Sequence, residues 1–166
     1  MFMENFHKNF FIHNDEVLIY FCALVDTLQK ASKKYRDVTN HCLSPNCFAS
    51  NNLIELLKDY LFVDNINLIL EECQNHLPDQ VDYFYMHMID YKNGGDMLIH
   101  KHDHNEDYSF ILYLNDCDDG HTILYLDRPI RIKPERGKIL IFSSDVYHSA
   151  TFSKNKKILV GGLKIK

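Results

Sequence analysis

Gly94-Gly95-Asp96-Met97-Leu98-Ile99-His100-Lys101-His102 opens on a glycine turn and runs into a short extended segment that ends in two imidazoles. Side chains at i and i+2 of a strand project from the same side, so one metal ion could touch both His100 and His102. A third imidazole from a distant strand would complete a facial site. His148, in Phe142-Ser143-Ser144-Asp145-Val146-Tyr147-His148, follows an apolar run and is the candidate for that position. A site drawn from remote strand ends needs strands folded over one another, which points to a sandwich or barrel with the histidines at its mouth.

The texture on either side agrees. From about residue 81 onward, β-rich runs recur at 83–91, 97–102, 109–114, 122–126, 130–132, 138–142 and 157–165. Turn signals separate them at Asn93-Gly94-Gly95, Asn115-Asp116, Asp119-Gly120 and Pro134-Glu135-Arg136-Gly137. Upstream the period is helical. Asn14 is placed to cap a helix carrying Val17, Leu18, Phe21, Leu24, Val25 and Leu28, and Ile19, Tyr20 and Cys22 make it apolar almost all round, which predicts packing on more than one side. A second helix is expected through Leu53, Ile54, Leu57, Tyr60 and Leu61. A third, capped by Asp64, carries Ile66, Ile69, Cys73 and Leu77 and ends at Pro78. The expectation is an α+β chain in which a two-sheet β-sandwich or jelly roll stands behind a helical shell.

Composition bounds the function. A chain of 166 residues, 46% hydrophobic and 25% charged, is long enough to bury a core and enclose a cavity as one domain. A net charge of -5 argues against nucleic acid as a partner, because that recognition needs a basic face. The longest apolar run, 17–25, is too short to span a bilayer and lacks a basic flank, so neither a membrane segment nor a signal peptide is expected. Five cysteines without a CxxC pair suit a reducing compartment, and a cytoplasmic protein is expected.

Several motifs in consecutive order now carry a resemblance. Tyr91-Lys92-Asn93-Gly94-Gly95, His100-x-His102, Ile111-Leu112-Tyr113-Leu114-Asn115, Gly120-His121-Thr122, Pro134-Glu135-Arg136-Gly137-Lys138, Phe142, His148 and Lys157 together resemble the prolyl-hydroxylase-like branch of the Fe(II)/2-oxoglutarate-dependent oxygenases. The likeness spans about residues 83 to 166. It implies a double-stranded β-helix (jelly roll) with N-terminal helices packed on one sheet, a single domain over 1–166 with 1–80 as mainly helical support and 81–166 as the β-helix core. It also implies Fe(II) as cofactor, 2-oxoglutarate as co-substrate, dioxygen as oxidant and, as an accessory reductant, ascorbate. Carried over residue by residue, the metal ligands fall on His100, His102 and His148. The residues that hold the distal carboxylate of 2-oxoglutarate fall on Tyr113 and Lys157, with Lys156 the neighbour that a one-residue slip would select. Tyr91 and Thr122 are candidate pocket-lining residues, and the polar stretch 37–49, with Cys42 and Cys47, is a candidate rim. The reaction implied is hydroxylation of a peptidyl residue, prolyl by likeness to the branch, or of a small molecule, with release of succinate and CO2.

One position departs from the pattern. The family carries His-x-Asp, and here the aspartate position is His102. A third neutral imidazole leaves the centre more positive than a 2-His-1-carboxylate triad and widens the choice to zinc, copper or nickel. Asp103 could serve if the strand bulges, and His102-x-His104 is a second register. Two other classes account for the same residues. Gly94, His100-x-His102 and Glu106 match the first metal motif of the cupins, in which Glu106 would be a fourth ligand and 2-oxoglutarate would play no part. A non-catalytic metal sensor or binding module is the other. Taken singly, Tyr113 reads as a core aromatic, Lys157 as surface charge, and Tyr83, Tyr85 and His87 as one face of a strand.

Overall fold

Asn14 starts the first helix as its position predicts, its Oδ1 accepting the backbone N–H of Val17 at 3.2 Å. This helix, α1 (Asp15–Ala31), belongs to a computed structural model that describes residues 5–31, 42–102 and 106–166, apart from the side chain of Phe84. Only one stripe of α1 is buried, Val17, Leu18, Phe21 and Val25, and Ile19 is 61% exposed. Tyr20, Cys22, Leu24 and Leu28 flank that stripe, partly buried against the same core, so the packed face is broad and Ile19 lies outside it. The second helical region begins as a 3-10 turn, Leu53–Lys58, capped by Asn52, and passes directly into α2 (Tyr60–Gln74), capped by Asp59. Asp64 lies inside α2 rather than at its start. Asp59 Oδ1 takes the orphan N–H of Phe62, which places the apolar set Phe62, Ile66, Ile69 and Cys73 on the buried face. Pro78 follows the helix as expected, and Gln74 bridges it to the next strand by accepting from Val81 N and donating to the Asp79 carbonyl. Among the described residues no helix is long and apolar enough to cross a membrane.

Among the described residues ten strands follow in chain order: β1 (His7–Phe11), β2 (Phe48–Ala49), β3 (Val81–Asp90), β4 (Gly95–His100), β5 (Tyr108–Tyr113), β6 (Thr122–Leu124), β7 (Ile130–Ile132), β8 (Lys138–Ser143), β9 (His148–Ser153) and β10 (Lys157–Ile165). They form a six-stranded sheet in the order β1, β8, β5, β10, β3, β2 and a four-stranded sheet in the order β4, β9, β6, β7. Every pairing between these strands is antiparallel. From β3 to β10 the chain alternates between the sheets in the winding of a jelly roll, except at the β6–β7 hairpin, which stays within the small sheet, and α1 and α2 pack on the large sheet. Besides its helices the N-terminal half supplies two strands, β1 pairing with β8 and β2 with β3, which extend that sheet at both edges.

The period-2 rule divides the large sheet into two surfaces. Met86, Met88, Leu112, Leu114, Ile139, Ile141 and Leu159 face the helices, while Ile89, Tyr91, Ile111, Tyr113, Leu140, Phe142 and Ile158 face the small sheet. Strands β5 and β8 are buried at all six positions because both their faces are covered. At the turn into β8, Gly137 has φ +82° and an added Cβ would lie 2.6 Å from the carbonyl oxygen of Ile12. Its backbone joins three elements, accepting from Ile12 N and donating to the Tyr113 carbonyl. Gly137→Ala is therefore expected to destabilise the fold by about 1–3 kcal/mol, measured by denaturant unfolding of parent and variant; equal midpoints would refute the requirement.

One irregularity decides what faces the cavity. In the β10–β3 ladder Gly162 pairs with Tyr85 but the next residue, Leu163, pairs with Tyr83, so β3 carries one extra residue. Tyr83 and Tyr85 would share a face in a regular strand. The bulge turns them apart: the Tyr83 hydroxyl donates to the Ile66 carbonyl on α2, and Tyr85 lines the space between the sheets.

Candidate metal centre and its cavity

The three histidines singled out by the sequence converge. His100 ends β4 and is the register partner of His148 at the start of β9. His102 lies just past β4, where its backbone N–H donates to the Ser144 carbonyl at 2.9 Å in the turn that leads to His148. The ring centroids of His100 and His148 are 4.2 Å apart, and each lies 5.2 Å from that of His102. One nitrogen from each ring lies within 4.8 Å of the others, so the three could hold a metal ion.

The strand ends also orient the rings. His100 Nδ1 sits 2.8 Å from the Leu98 carbonyl and His148 Nδ1 sits 3.0 Å from the Val146 carbonyl. A carbonyl can only accept, so in both rings Nδ1 carries the proton and Nε2 keeps the lone pair that a metal needs. Burial lowers the pKa of both, and for His148, with His100 and His102 beside it, pushes it down to about 3. Both imidazoles are thus held neutral, the form that ligates. The donor set fits a borderline divalent metal such as Fe(II), Zn(II) or Ni(II).

Glu106 does not join this group. Its Oε1 lies 3.5 Å from His102 Nδ1 and accepts from Ser109 Oγ at 2.6 Å and from the Tyr85 hydroxyl at 3.2 Å. Its carboxyl pKa is pushed up to about 7 by burial, against the opposing pull of those hydrogen bonds. The fourth-ligand role that a cupin pattern gives Glu106 is therefore not its position here. Asp103 and His104, the alternatives for the second ligand, lie outside the described residues, as do 37–41 of the candidate rim. Of the rest of that rim, Cys42 and Ala49 line the cavity, while Cys47 is buried close against Gly95.

The imidazoles open on a cavity of about 530 Å³ between the two sheets. Its lining is largely apolar, with Ile89, Ile111, Phe142 and Ile158 among the walls, and it includes Tyr91 and Thr122 as the sequence suggested. Tyr113 is fully buried and its hydroxyl donates to Thr122 Oγ1 at 2.6 Å. The lysine differs from expectation by one residue. Lys157 faces the helices, where its Nζ pairs with Asp26 of α1 at 2.8 Å. Lys156, only 1% exposed, lines the cavity, with Nζ 2.8 Å from the Gly120 carbonyl and 4.2 Å from the centre of the Tyr91 ring. The reason is the phase of β10: Ile158 and Val160 point inward, so Lys156 does too and Lys157 cannot. Burial lowers the Lys156 pKa to about 8, and among the described residues no carboxylate forms an ion pair with it.

No protein-family model matches the chain, and no curated protein matches it in sequence. Solved structures do match in fold. A Pseudomonas putida prolyl-4-hydroxylase superposes with a TM-score of 0.67 at 15% identity, covering 98% of this chain and 94% of its own. The viral collagen prolyl hydroxylase of Paramecium Bursaria Chlorella virus-1, solved as a 2-oxoglutarate complex, gives 0.68 at 14% identity over 96% of both chains. HygX from Streptomyces hygroscopicus, solved with nickel and 2-oxoglutarate, gives 0.71 at 7% identity over 96% of this chain and 83% of its own. The fold is that of the prolyl-hydroxylase-like 2-oxoglutarate oxygenases. Against the His-x-Asp pattern that the sequence resemblance implies, this chain has a third histidine at 102, with the buried Glu106 beside it. The sequence offered Glu106 only as a ligand, and it gave no sign that Tyr85 would reach it.

Proposed function

We propose that this protein is an Fe(II)- and 2-oxoglutarate-dependent oxygenase in which His100, His102 and His148 hold the metal and Lys156, with Tyr113 and Thr122, holds the distal carboxylate of the co-substrate. The observation that carries the reading is the buried Lys156 ammonium, which shares one cavity with three oriented imidazoles and has no carboxylate partner among the described residues. An ammonium buried without a counter-charge is unfavourable by several kcal/mol, and a carboxylate brought in by a ligand offsets that. Tyr113 spends its proton on Thr122, which leaves the Thr122 hydroxyl a proton to donate to the same carboxylate. Phe142, Ile111 and Ile158 keep water from the space between the two ends.

Iron held there would supply oxidative decarboxylation of 2-oxoglutarate by dioxygen, with one oxygen atom entering succinate as CO2 leaves and the other entering a substrate C–H bond. The protein's part is to fix ligand geometry, pair the remote carboxylate and shield the cavity. Similarity in fold to prolyl hydroxylases, one of them solved with a peptide fragment of hypoxia inducible factor, supports a peptidyl, prolyl, substrate.

Anaerobic addition of Fe(II) and then 2-oxoglutarate to the purified protein tests this directly. A visible charge-transfer band that requires both additions is the expected result. Tight metal binding with no band on adding 2-oxoglutarate would defeat the proposal and favour a cupin-like three-histidine centre.

A further inference from the structure

The family pattern has a carboxylate where this chain has His102, and the nearest described carboxylate to that ring is Glu106. Three observations set it apart from an incidental neighbour. First, the hydrogen bonds form a directed chain. The Tyr85 hydroxyl donates its single proton to Glu106 Oε1, so its contact with His102 Nδ1, at 3.1 Å, makes the tyrosine oxygen the acceptor and Nδ1 the protonated nitrogen. Nε2 of His102 is then the unprotonated ring nitrogen, as it is in His100 and His148. Second, Glu106 is enclosed, with its side chain only 3% exposed and Ser109 Oγ donating to the same oxygen that Tyr85 uses. Its niche is cut to shape: an added Cβ on Gly162 would collide with Glu106 Oε2 and lie 2.6 Å from the Tyr85 ring. Third, the backbone ties the two residues to one anchor. Ser144 accepts from His102 N through its carbonyl and donates through Oγ to the Glu106 carbonyl at 2.7 Å.

We propose that Tyr85 and Glu106 are positioning residues for the metal centre: they fix His102 in the Nε2-ligating form and set a carboxylate one hydrogen-bonded step behind the imidazole that stands in the aspartate position. In this chain the carboxylate contribution is displaced outward rather than lost, as when a metal-bound histidine is oriented by an outer carboxylate. The bulge in β3 is the enabling feature, since without it Tyr85 would share Tyr83's face and point at α2. The inference rests on the metal-binding half of the proposed function and is independent of 2-oxoglutarate.

Co(II) alone, titrated anaerobically into full-length parent, Tyr85→Phe and Glu106→Gln, is the test. Each substitution is expected to weaken Co(II) binding by ~10–100-fold and to alter the Co(II) ligand-field spectrum. The metal-free thermal midpoint should stay near the parent's, and Tyr83→Phe, on the opposite face of β3, should bind Co(II) as the parent does. Parental Co(II) affinity in both Tyr85→Phe and Glu106→Gln overturns the proposal. So does a loss of affinity that appears only with a collapse of the metal-free midpoint, which would make the pair supports of the fold. Loss of the iron and 2-oxoglutarate band with the Co(II) results intact would defeat the co-substrate reading and leave this one standing.

Discussion

Lys156→Met is expected to raise the dissociation constant for 2-oxoglutarate by at least ~100-fold while leaving Fe(II) affinity near that of the parent. Removing one partner of a buried ion pair costs roughly 3–5 kcal/mol, and each 1.4 kcal/mol is a factor of about ten. Methionine preserves most of the volume against Tyr91, so the change tests charge more than packing. Lys157→Ala is the matched control. It breaks only the pair with Asp26 at the partly exposed face of α1, where such pairs contribute about 0–1 kcal/mol, and co-substrate binding should barely change. The lysine also predicts a pH dependence. Its pKa is lowered to about 8 by burial, and the carboxylate needs the ammonium form. Binding should therefore be constant below that pH and weaken about tenfold per unit above it. Isothermal titration of both variants, and of the parent across this range, checks the assignment. A damaging Lys157→Ala beside a silent Lys156→Met would reverse it.

His148→Ala is expected to lower metal affinity by more than the ~100-fold ceiling typical of outer-shell changes, and His100→Ala should do the same. Both rings are pre-set by a carbonyl on Nδ1, and His148 is further packed edge-on against Phe142, with ring centroids 4.7 Å apart. A metal therefore meets two donors that need little reorganisation, and losing either forfeits a bond and that orientation together. His87→Ala is the control within the same cavity, because His87 Nδ1 is engaged with the Ser50 carbonyl and lies outside the three-histidine group. Competition against a chromogenic chelator would measure all three. Parent-like binding by His148→Ala would remove it from the centre.

How much of this could be read from the chain alone depends on whether the signal was local. The Asn14 cap, the apolar stripe of α1 and the β-rich runs of the second half rest on residues a few positions apart, and these features stand in the structure. The i and i+2 relation of His100 and His102 is of the same kind, and so is the ordered set of motifs that ties His148 to them. Strand β9 shows the opposite. His148-Ser149-Ala150-Thr151-Phe152-Ser153 lacks an apolar alternation and was not among the expected strands, yet it is held in the small sheet between β4 and β6. Strand β1 likewise exists through its pairing with β8. Asp59 and Asp64 both precede apolar residues at helical spacing, and packing against the core chose the first.

The remaining differences concern which way a side chain faces. Alternation along β10 states that Lys156 and Lys157 oppose one another, but not which of them enters the cavity. That parity is set where Tyr91 N meets the Lys156 carbonyl and Leu114 N meets that of Lys157, contacts with strands far away in sequence. A single extra residue in β3 likewise reverses the relation of Tyr83 to Tyr85, and so delivers a hydroxyl to His102 and Glu106. The chain by itself determined its periodicities, the Asn14 cap and the grouping of His100 with His102, because those are properties of neighbours. Only the tertiary structure decided faces and partners, because a strand's phase is established by the hydrogen bonds it makes to other strands.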